Sequence, residues 1–314
     1  MLRTPAPLSR ALAVTDTVEK PVIEEITNII GKYDESYIET NLLTAESVSS
    51  FAATFYKDVA EIYDTITRIK NVERNPTGYS LADAPILGLL VKIWKLLKEV
   101  IRYYEENNAD VISLLERPIL ESAVIATYLM RSTDSVMEDY RKCSYKDRLR
   151  ILRDLKKGSK FLETAAGKRL LASVQEKLES ESFSVDSFER QKKNRWKVDG
   201  KTFFDIFSEV ESEELYPCTY GMMSESIHSS WNDSMDFYLS KRTDGTFDAY
   251  PFSHPADIRY VTPLLVYTNK PYRLWLARIN VDIEDLVGVL DWVERVNHAL
   301  FRRFDETYKE QGDG

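Results

Sequence analysis

Residues 51–66, FAATFYKDVAEIYDTI, repeat apolar side chains at steps of three and four residues. That spacing places them in one stripe along an α-helix, whereas a β-strand would alternate apolar and polar positions. The stripe consists of Phe51, Phe55, Val59, Ile62 and Ile66. The segment therefore predicts an amphipathic helix that packs its apolar side against other helices.

Segments with the same period recur along the chain, near residues 86–101, 114–130, 136–157 and 282–308. Pro263 opens VTPLLVYT, which we expect to be a helix rather than a strand because no partner run exists. We also expect a helix over residues 220–239, followed by a loop to residue 257. Only eleven Gly and eleven Pro occur among 314 residues, so we expect few turns. The sequence predicts an all-α fold, a multi-helix bundle.

The domain organisation is predicted to be simple. We expect a disordered tail at residues 1–20 and a single helical domain at residues 21–310, with a motif-bearing core near residues 80–300. The apolar runs fall short of the roughly 20 residues that cross a bilayer, so no membrane contact is predicted. Two cysteines, Cys143 and Cys218, do not make a disulfide framework, although a single bridge stays open. This favours a reducing, cytoplasmic location.

Charge is distributed unevenly along the chain. The net charge of −9 argues against a uniformly basic nucleic-acid binder. Yet residues 141–169 carry eleven Lys or Arg against three Asp or Glu, and residues 190–201 carry six against one. These segments could bind nucleic acid, with basic side chains on the phosphates and the indole of Trp196 stacked on a base. The basic side chains are those of Arg150, Arg153, Lys156, Lys157 and Arg195. The alternative is a solvated helix face around a leucine stripe, which more often explains such charge.

Two pairs of polar residues share a spacing of four. Arg117 and Glu121 lie in RPILES, and Ser224 and His228 lie in SESIH. On helices each pair falls on one face, so the four side chains would meet if the two faces pack together. His228 could then act as acid or base, with Glu121 fixing its tautomer. Arg117 could hold an anion such as phosphate, and Ser224 could position the substrate or act as nucleophile.

The alternative for these four residues is a polar network that fixes how two helices dock. The sequence contains no P-loop, nucleophile elbow, metalloprotease motif or metal-spaced cluster, so no cofactor and no metal are predicted. The two remaining histidines are interpreted without a catalytic role. His254 is taken as a turn residue, and His298 as a packed or exposed residue beside the apolar seam of the last helix.

Two stretches, RPILESAVIATYL at 117–129 and LYPCTYGMMSESIHSSW at 215–231, resemble a widespread family of helical proteins of unknown function, as does the Arg-Trp pair at 195–196. The family is marked by an Arg-x-x-x-Glu helix and a later Tyr-x-x-x-Ser-x-x-x-His helix. Here those marks fall on Arg117, Glu121, Tyr220, Ser224 and His228. The likeness covers roughly residues 80 to 300. It implies a helical bundle in which the two motifs face each other, and it brings no established reaction.

The build of that family is distantly similar to the HEPN helical ribonucleases of prokaryotic defence and toxin systems. Those enzymes carry an Arg followed four to six residues later by His, and no histidine of this chain has an Arg at that distance. Arg117 could reach His228 across the bundle instead.

We therefore expect a polar Arg/Glu/Ser/His pocket that acts on a phosphate-bearing or RNA substrate, in a defence- or toxin-like setting. Two other functions stay open, a non-catalytic interaction or scaffold module and nucleic-acid binding through the basic middle segment. A homo-oligomer or a protein partner would fit the apolar seam of the last helix, for which core burial is the default.

Overall fold

The computed structural model describes residues 24–26, 28–29, 35–71, 75, 77–156, 158–183, 196–281 and 284–312, apart from the side chains of residues 146–156, 285 and 308–312. The chain divides into two compact units, residues 1–130 with 214–314 and residues 131–213. Both are helical, which confirms the all-α, multi-helix prediction. The tail predicted at residues 1–20 lies outside the described residues, and the single domain at residues 21–310 stays a prediction.

The first unit contains α-helices on both sides of the second unit in the sequence. The helices before it are α1 (Glu35–Asn41), α2 (Ala45–Arg68), α3 (Ala84–Glu105) and α4 (Ala109–Met130). The second unit contains α5 (Asp134–Lys156), α6 (Lys160–Glu163), α7 (Ala165–Ser180) and α8 (Phe203–Val210). A 3₁₀ turn, Glu213–Leu215, spans the boundary. The first unit then continues with α9 (Met222–Ile227), α10 (Trp231–Asp233), β1 (Leu239–Lys241), β2 (Phe247–Ala249), a 3₁₀ turn (Ile258–Tyr260), α11 (Thr262–Arg278) and α12 (Glu284–Gly312).

The helix predicted over residues 51–66 is the central part of α2. Thr44 precedes it in an extended conformation, and its hydroxyl accepts a hydrogen bond from the Ser47 N–H at 3.1 Å. The Ser47 hydroxyl accepts one from the Thr44 N–H at 3.0 Å. This reciprocal capping box satisfies donors that the first helical turn leaves open. The predicted stripe is buried from residue 55 to residue 66.

An aromatic-rich core joins α2, α3, α4, α11 and α12. Tyr63 of α2 and Tyr272 of α11 stack with their ring centroids 3.9 Å apart and their planes 10° from parallel. The Tyr272 hydroxyl donates to the Leu90 carbonyl at 2.8 Å, which satisfies a group that is costly to bury alone. Pro263 lies in the first turn of α11, as predicted.

Helix α4 packs on α3 and α11 and carries the candidate site on its outer face. Pro118 lies inside the helix, where it has no N–H for the carbonyl of Leu114. The Ser122 hydroxyl donates to the Pro118 carbonyl at 2.7 Å. Because Ile119 and Leu120 are fully buried on the inner face, the helix cannot rotate without exposing them.

The prediction of one continuous helix over residues 220–239 is wrong. A π-helical turn, Pro217–Gly221, leads into α9, which ends at His228. Ser229 then adopts a left-handed φ of 51°, and Ser230 caps the short helix α10. A second π-helical turn, Ser234–Tyr238, follows.

The loop predicted to run to residue 257 contains a β-hairpin that the sequence analysis missed. Strand β1 pairs antiparallel with β2, and Gly245 has a φ of 87° in the turn between them. The Asp-Gly pair at residues 244–245 is a hairpin signal. Each strand has only three residues, too few for a visible alternation.

The second unit is organised around α5 and α7. Arg141 Nη1 lies 2.6 Å from Glu181 Oε2, and Val174 and Leu178 are buried beside Tyr145 and Phe183. Gly158 follows α5 with a φ of 75°, as expected where a helix ends. Neither Cys143 nor Cys218 forms a disulfide bond. Among the described residues, no helix is both long and apolar enough to cross a bilayer.

Candidate functional site

Arg117 of α4 is the centre of a polar cluster in the first unit. Its Nε donates to Glu121 Oε1 at 3.1 Å, its Nη2 to the Tyr220 hydroxyl at 2.5 Å, and its Nη1 lies 2.8 Å from His228 Nε2. The guanidinium also lies over the Tyr220 ring, 4.5 Å from its centroid, as in a cation–π contact. Three of the four polar residues predicted from sequence, Arg117, Glu121 and His228, therefore meet at this arginine.

Tyr220 closes a triangle with Arg117 and Glu121. Its hydroxyl donates to Glu121 Oε1 at 2.7 Å while it accepts from the guanidinium. Burial, and then the hydrogen bond to Glu121, raise the pKa of the Tyr220 hydroxyl well above its ordinary value. The phenol therefore keeps its proton, and the triangle fixes the orientation of the guanidinium.

An unusual turn places Tyr220. It is the buried residue of the π-helical turn Pro217–Gly221, and its ring lies 5.0 Å from that of Tyr216. Such a turn has one more residue than an α-helical turn and is often found at functional sites.

His228 is the residue at which α9 ends, and it is exposed. Arginine only donates hydrogen bonds, so His228 Nε2 must be the acceptor of the bond from Arg117 Nη1. An exposed imidazole thus presents an accepting nitrogen to a fixed cation.

This geometry can bind an anion and exchange a proton. A guanidinium has five N–H donors, and these contacts leave some of them available. A protonated His228 could not accept from Arg117, so proton uptake would end their hydrogen bond and leave two neighbouring cations for an oxyanion to bridge. Among the described residues, no group of three or more His, Cys, Asp or Glu is arranged to hold a metal.

The segment that holds these residues also matches a known family. A model of DUF5677, a family of unknown function, matches residues 83–247, just over half of the chain. The chain belongs to this family. No curated protein and no solved structure matched it.

In this DUF5677 chain, Ser224 and Glu121, the residues predicted to contact His228, form hydrogen bonds with other groups. The Ser224 hydroxyl donates to the Tyr220 carbonyl at 2.5 Å, within its own helical segment, and His228 Nε2 meets Arg117. The Glu121 carboxylate contacts Arg117 and Tyr220. Arg117 therefore orients the imidazole, and Ser224 is bonded to the backbone in the geometry of a helical hydroxyl.

The sequence analysis named Tyr220 only as a mark of the family and gave it no role in the site, whereas its hydroxyl holds two of the hydrogen bonds of the cluster. Burial raises the pKa of Glu116, next to Arg117, to about 8. Its carboxyl group is therefore largely protonated at neutral pH, and no sequence pattern distinguishes it from an ordinary surface glutamate.

His254 anchors a loop to the start of α4. Its Nδ1 lies 3.1 Å from Asp110 Oδ1, and its backbone N–H donates to the same oxygen at 3.1 Å. The Ala109 N–H donates to the His254 carbonyl at 2.9 Å. His254 lies in a segment without regular secondary structure, and its interpretation as a turn residue stays a prediction. His298 is exposed on α12.

The predicted nucleic-acid-binding residues all belong to the second unit. Lys157 and Arg195 lie outside the described residues, as do the side chains of Arg150, Arg153 and Lys156 on α5. Trp196 is partly buried. A role for these residues in binding nucleic acid stays a prediction.

Proposed function

We propose that the cluster of Arg117, Glu121, Tyr220 and His228 is an anion-binding, acid–base site that acts on a phosphate ester. The observation that carries the proposal is the distance of 2.8 Å between Arg117 Nη1 and His228 Nε2. A cation with a fixed orientation can position a phosphate ester, and an exposed imidazole can act as its acid or base. RNA is one member of this substrate class.

In this mechanism a phosphate oxygen takes the place of His228 on Arg117 Nη1. His228 Nε2 is then free to accept the proton of the attacking hydroxyl as the new O–P bond forms and the P–O bond to the leaving group breaks. The protonated ring then returns the proton to the oxygen of the leaving group. The guanidinium balances the charge that develops on the phosphate oxygens. The mechanism uses the accepting nitrogen that faces Arg117.

Glu121 and Tyr220 act as positioning residues. They bind the Nε and Nη2 groups of Arg117, so the Nη1 group keeps its direction when the ligand arrives. The conformational entropy of the guanidinium is therefore lost when the chain folds rather than when the ligand binds. Ser224 has no step in this mechanism, because its hydroxyl donates to the Tyr220 carbonyl.

The test is turnover of two substrates, bis(4-nitrophenyl) phosphate and a labelled single-stranded RNA, by the full chain. We expect His228→Ala to reduce turnover about 100-fold or more, the usual contribution of an acid–base group. The melting temperature should change little, because His228 is exposed and the Arg117–Tyr220–Glu121 triangle remains. His298→Ala, which removes another exposed histidine, is the matched control and should leave turnover unchanged.

A scaffold is the second candidate function. It is favoured by the fact that every contact of Arg117 described above is internal, and that two of them, with Tyr220 and His228, join α4 to the segment around α9. If His228→Ala lowers the melting temperature, and neither substrate is turned over by the unmodified chain, the cluster is structural. Turnover that persists unchanged in His228→Ala also contradicts the acid–base role.

A further inference from the structure

We propose, resting on the function proposed above, that the ligand of this site is a short nucleotide. Its phosphate would bind Arg117 and His228, and its base would stack on Trp231. The site would bind a phosphate ester that carries a flat aromatic group. Among such ligands, the surrounding side chains favour a nucleotide.

Trp231 is an exposed aromatic side chain close in sequence to His228. It follows His228 by three residues and is 59% exposed, although an indole of this size usually contributes to a core. The Phe247 ring of β2 meets it edge to face, with centroids 5.9 Å apart and planes 74° apart. The hairpin therefore supports one part of the indole, while much of the ring stays available for stacking.

The chain between the imidazole and the indole folds back on α9. Ser229 has a left-handed φ, and Glu225 accepts hydrogen bonds from Ser230 at 3.5 Å and from Asn232 at 3.4 Å. These bonds hold Trp231 beside the end of the helix that carries His228. The carboxylate of Glu225 and the amide of Asn232 are also groups that can bind the polar edge of a base.

Charge favours a short ligand over a long strand. Residues 214–250 carry six Asp or Glu and two Lys or Arg, and Arg242 is paired with Asp248. A long single strand needs a track of cations along its backbone, and each additional phosphate would here meet carboxylates. One phosphate beside Arg117 and one base on Trp231 fit this surface better.

The test is calorimetric titration of the full chain with adenosine 5′-monophosphate, inorganic phosphate, phosphotyrosine and a single-stranded RNA of about a dozen residues. We expect adenosine 5′-monophosphate to bind more tightly than inorganic phosphate or phosphotyrosine, and the RNA to gain little over the mononucleotide. Trp231→Ala should weaken mononucleotide binding about tenfold or more and leave phosphate binding unchanged. Trp231→Phe should restore part of the loss.

Tyr37→Ala is the matched control, since Tyr37 is 48% exposed and its ring also packs on a phenylalanine, Phe51. It should bind every probe as the unmodified chain does. The nucleotide inference is overturned if Trp231→Ala leaves the mononucleotide affinity unchanged. If phosphate binding still depends on Arg117 in that case, the proposed function stands. Tighter binding of phosphotyrosine or of the long RNA also overturns it. If no phosphate-bearing probe binds, the proposed function itself fails.

Discussion

Arg117 Nη1 and His228 Nε2 lie 2.8 Å apart across 111 residues of sequence. Because arginine cannot accept this hydrogen bond, His228 Nε2 is the acceptor, and its donor is a neighbour that is always charged. The guanidinium can bind an anionic ligand, and the imidazole beside it can accept a proton from that ligand. The following predictions test this arrangement and the fold that supports it.

Tyr220→Phe should lower the free energy of unfolding by about 1 kcal/mol, the usual net contribution of a hydrogen bond to stability. The change removes the hydroxyl that donates to Glu121 and accepts from Arg117 and leaves the ring in place. Urea denaturation measures it. Tyr238→Phe, at an exposed tyrosine, is the control and should be close to neutral. Equal stability of both variants would contradict the described triangle.

Glu116→Gln should change how stability depends on pH. Burial raises the pKa of Glu116 to about 8 in the folded chain, so the native state holds a proton that the unfolded state releases near 4.5. Glu116 therefore lowers the free energy of unfolding as pH rises from about 4.5 to about 8. The variant should lose this part of the slope in denaturation experiments at several pH values. An identical slope would show that the carboxylate is well solvated.

Thr44→Ala should destabilise the first unit by about 1 kcal/mol, because it removes one half of the capping box at the start of α2. Thr44→Ser keeps the accepting hydroxyl and should be nearly neutral. Thermal unfolding of the two variants separates the loss of the cap from the loss of the threonine methyl group. A similar drop for both would assign the effect to packing.

Two glycines should respond in opposite directions to alanine. A Cβ on Gly167 would lie 2.2 Å from the Phe161 carbonyl oxygen and 2.5 Å from Leu162 Cα, so Gly167→Ala should displace the backbone between α6 and α7. A Cβ on Gly88, inside α3, meets nothing within 4 Å. Gly88→Ala should stabilise the chain by about 0.5–1 kcal/mol through helix propensity. Circular dichroism melts measure both, and a stabilised Gly167→Ala would contradict the described packing.

Much of the fold follows from local periodicity. The stripes of α2, α3 and α12 are long and regular, and the all-α prediction depended on them. The segment after Tyr220 was predicted less well, because two π-helical turns and a left-handed serine interrupt a composition that reads as one helix. Such interruptions depend on tertiary contacts that a helical period does not contain.

The candidate site was predictable only in part. A spacing of four places Arg117 beside Glu121, and this pair is local. The contact of Arg117 with His228 depends on how α4 packs against the segment around α9, which sequence spacing cannot fix. The same spacing suggested Ser224 as a partner of the imidazole, but a helical hydroxyl readily bonds the carbonyl four residues earlier.

The most direct test of the proposed site is the response of the histidine ring signals to inorganic phosphate in an NMR titration at neutral pH. The chain has three histidines, so single substitutions assign each signal. We predict that phosphate moves the ring signals of His228 and not those of His254 or His298, and that Arg117→Gln abolishes the movement. Signals of His228 that stay unchanged up to roughly 50 mM phosphate, well above a millimolar dissociation constant, would contradict an anion site at this pair.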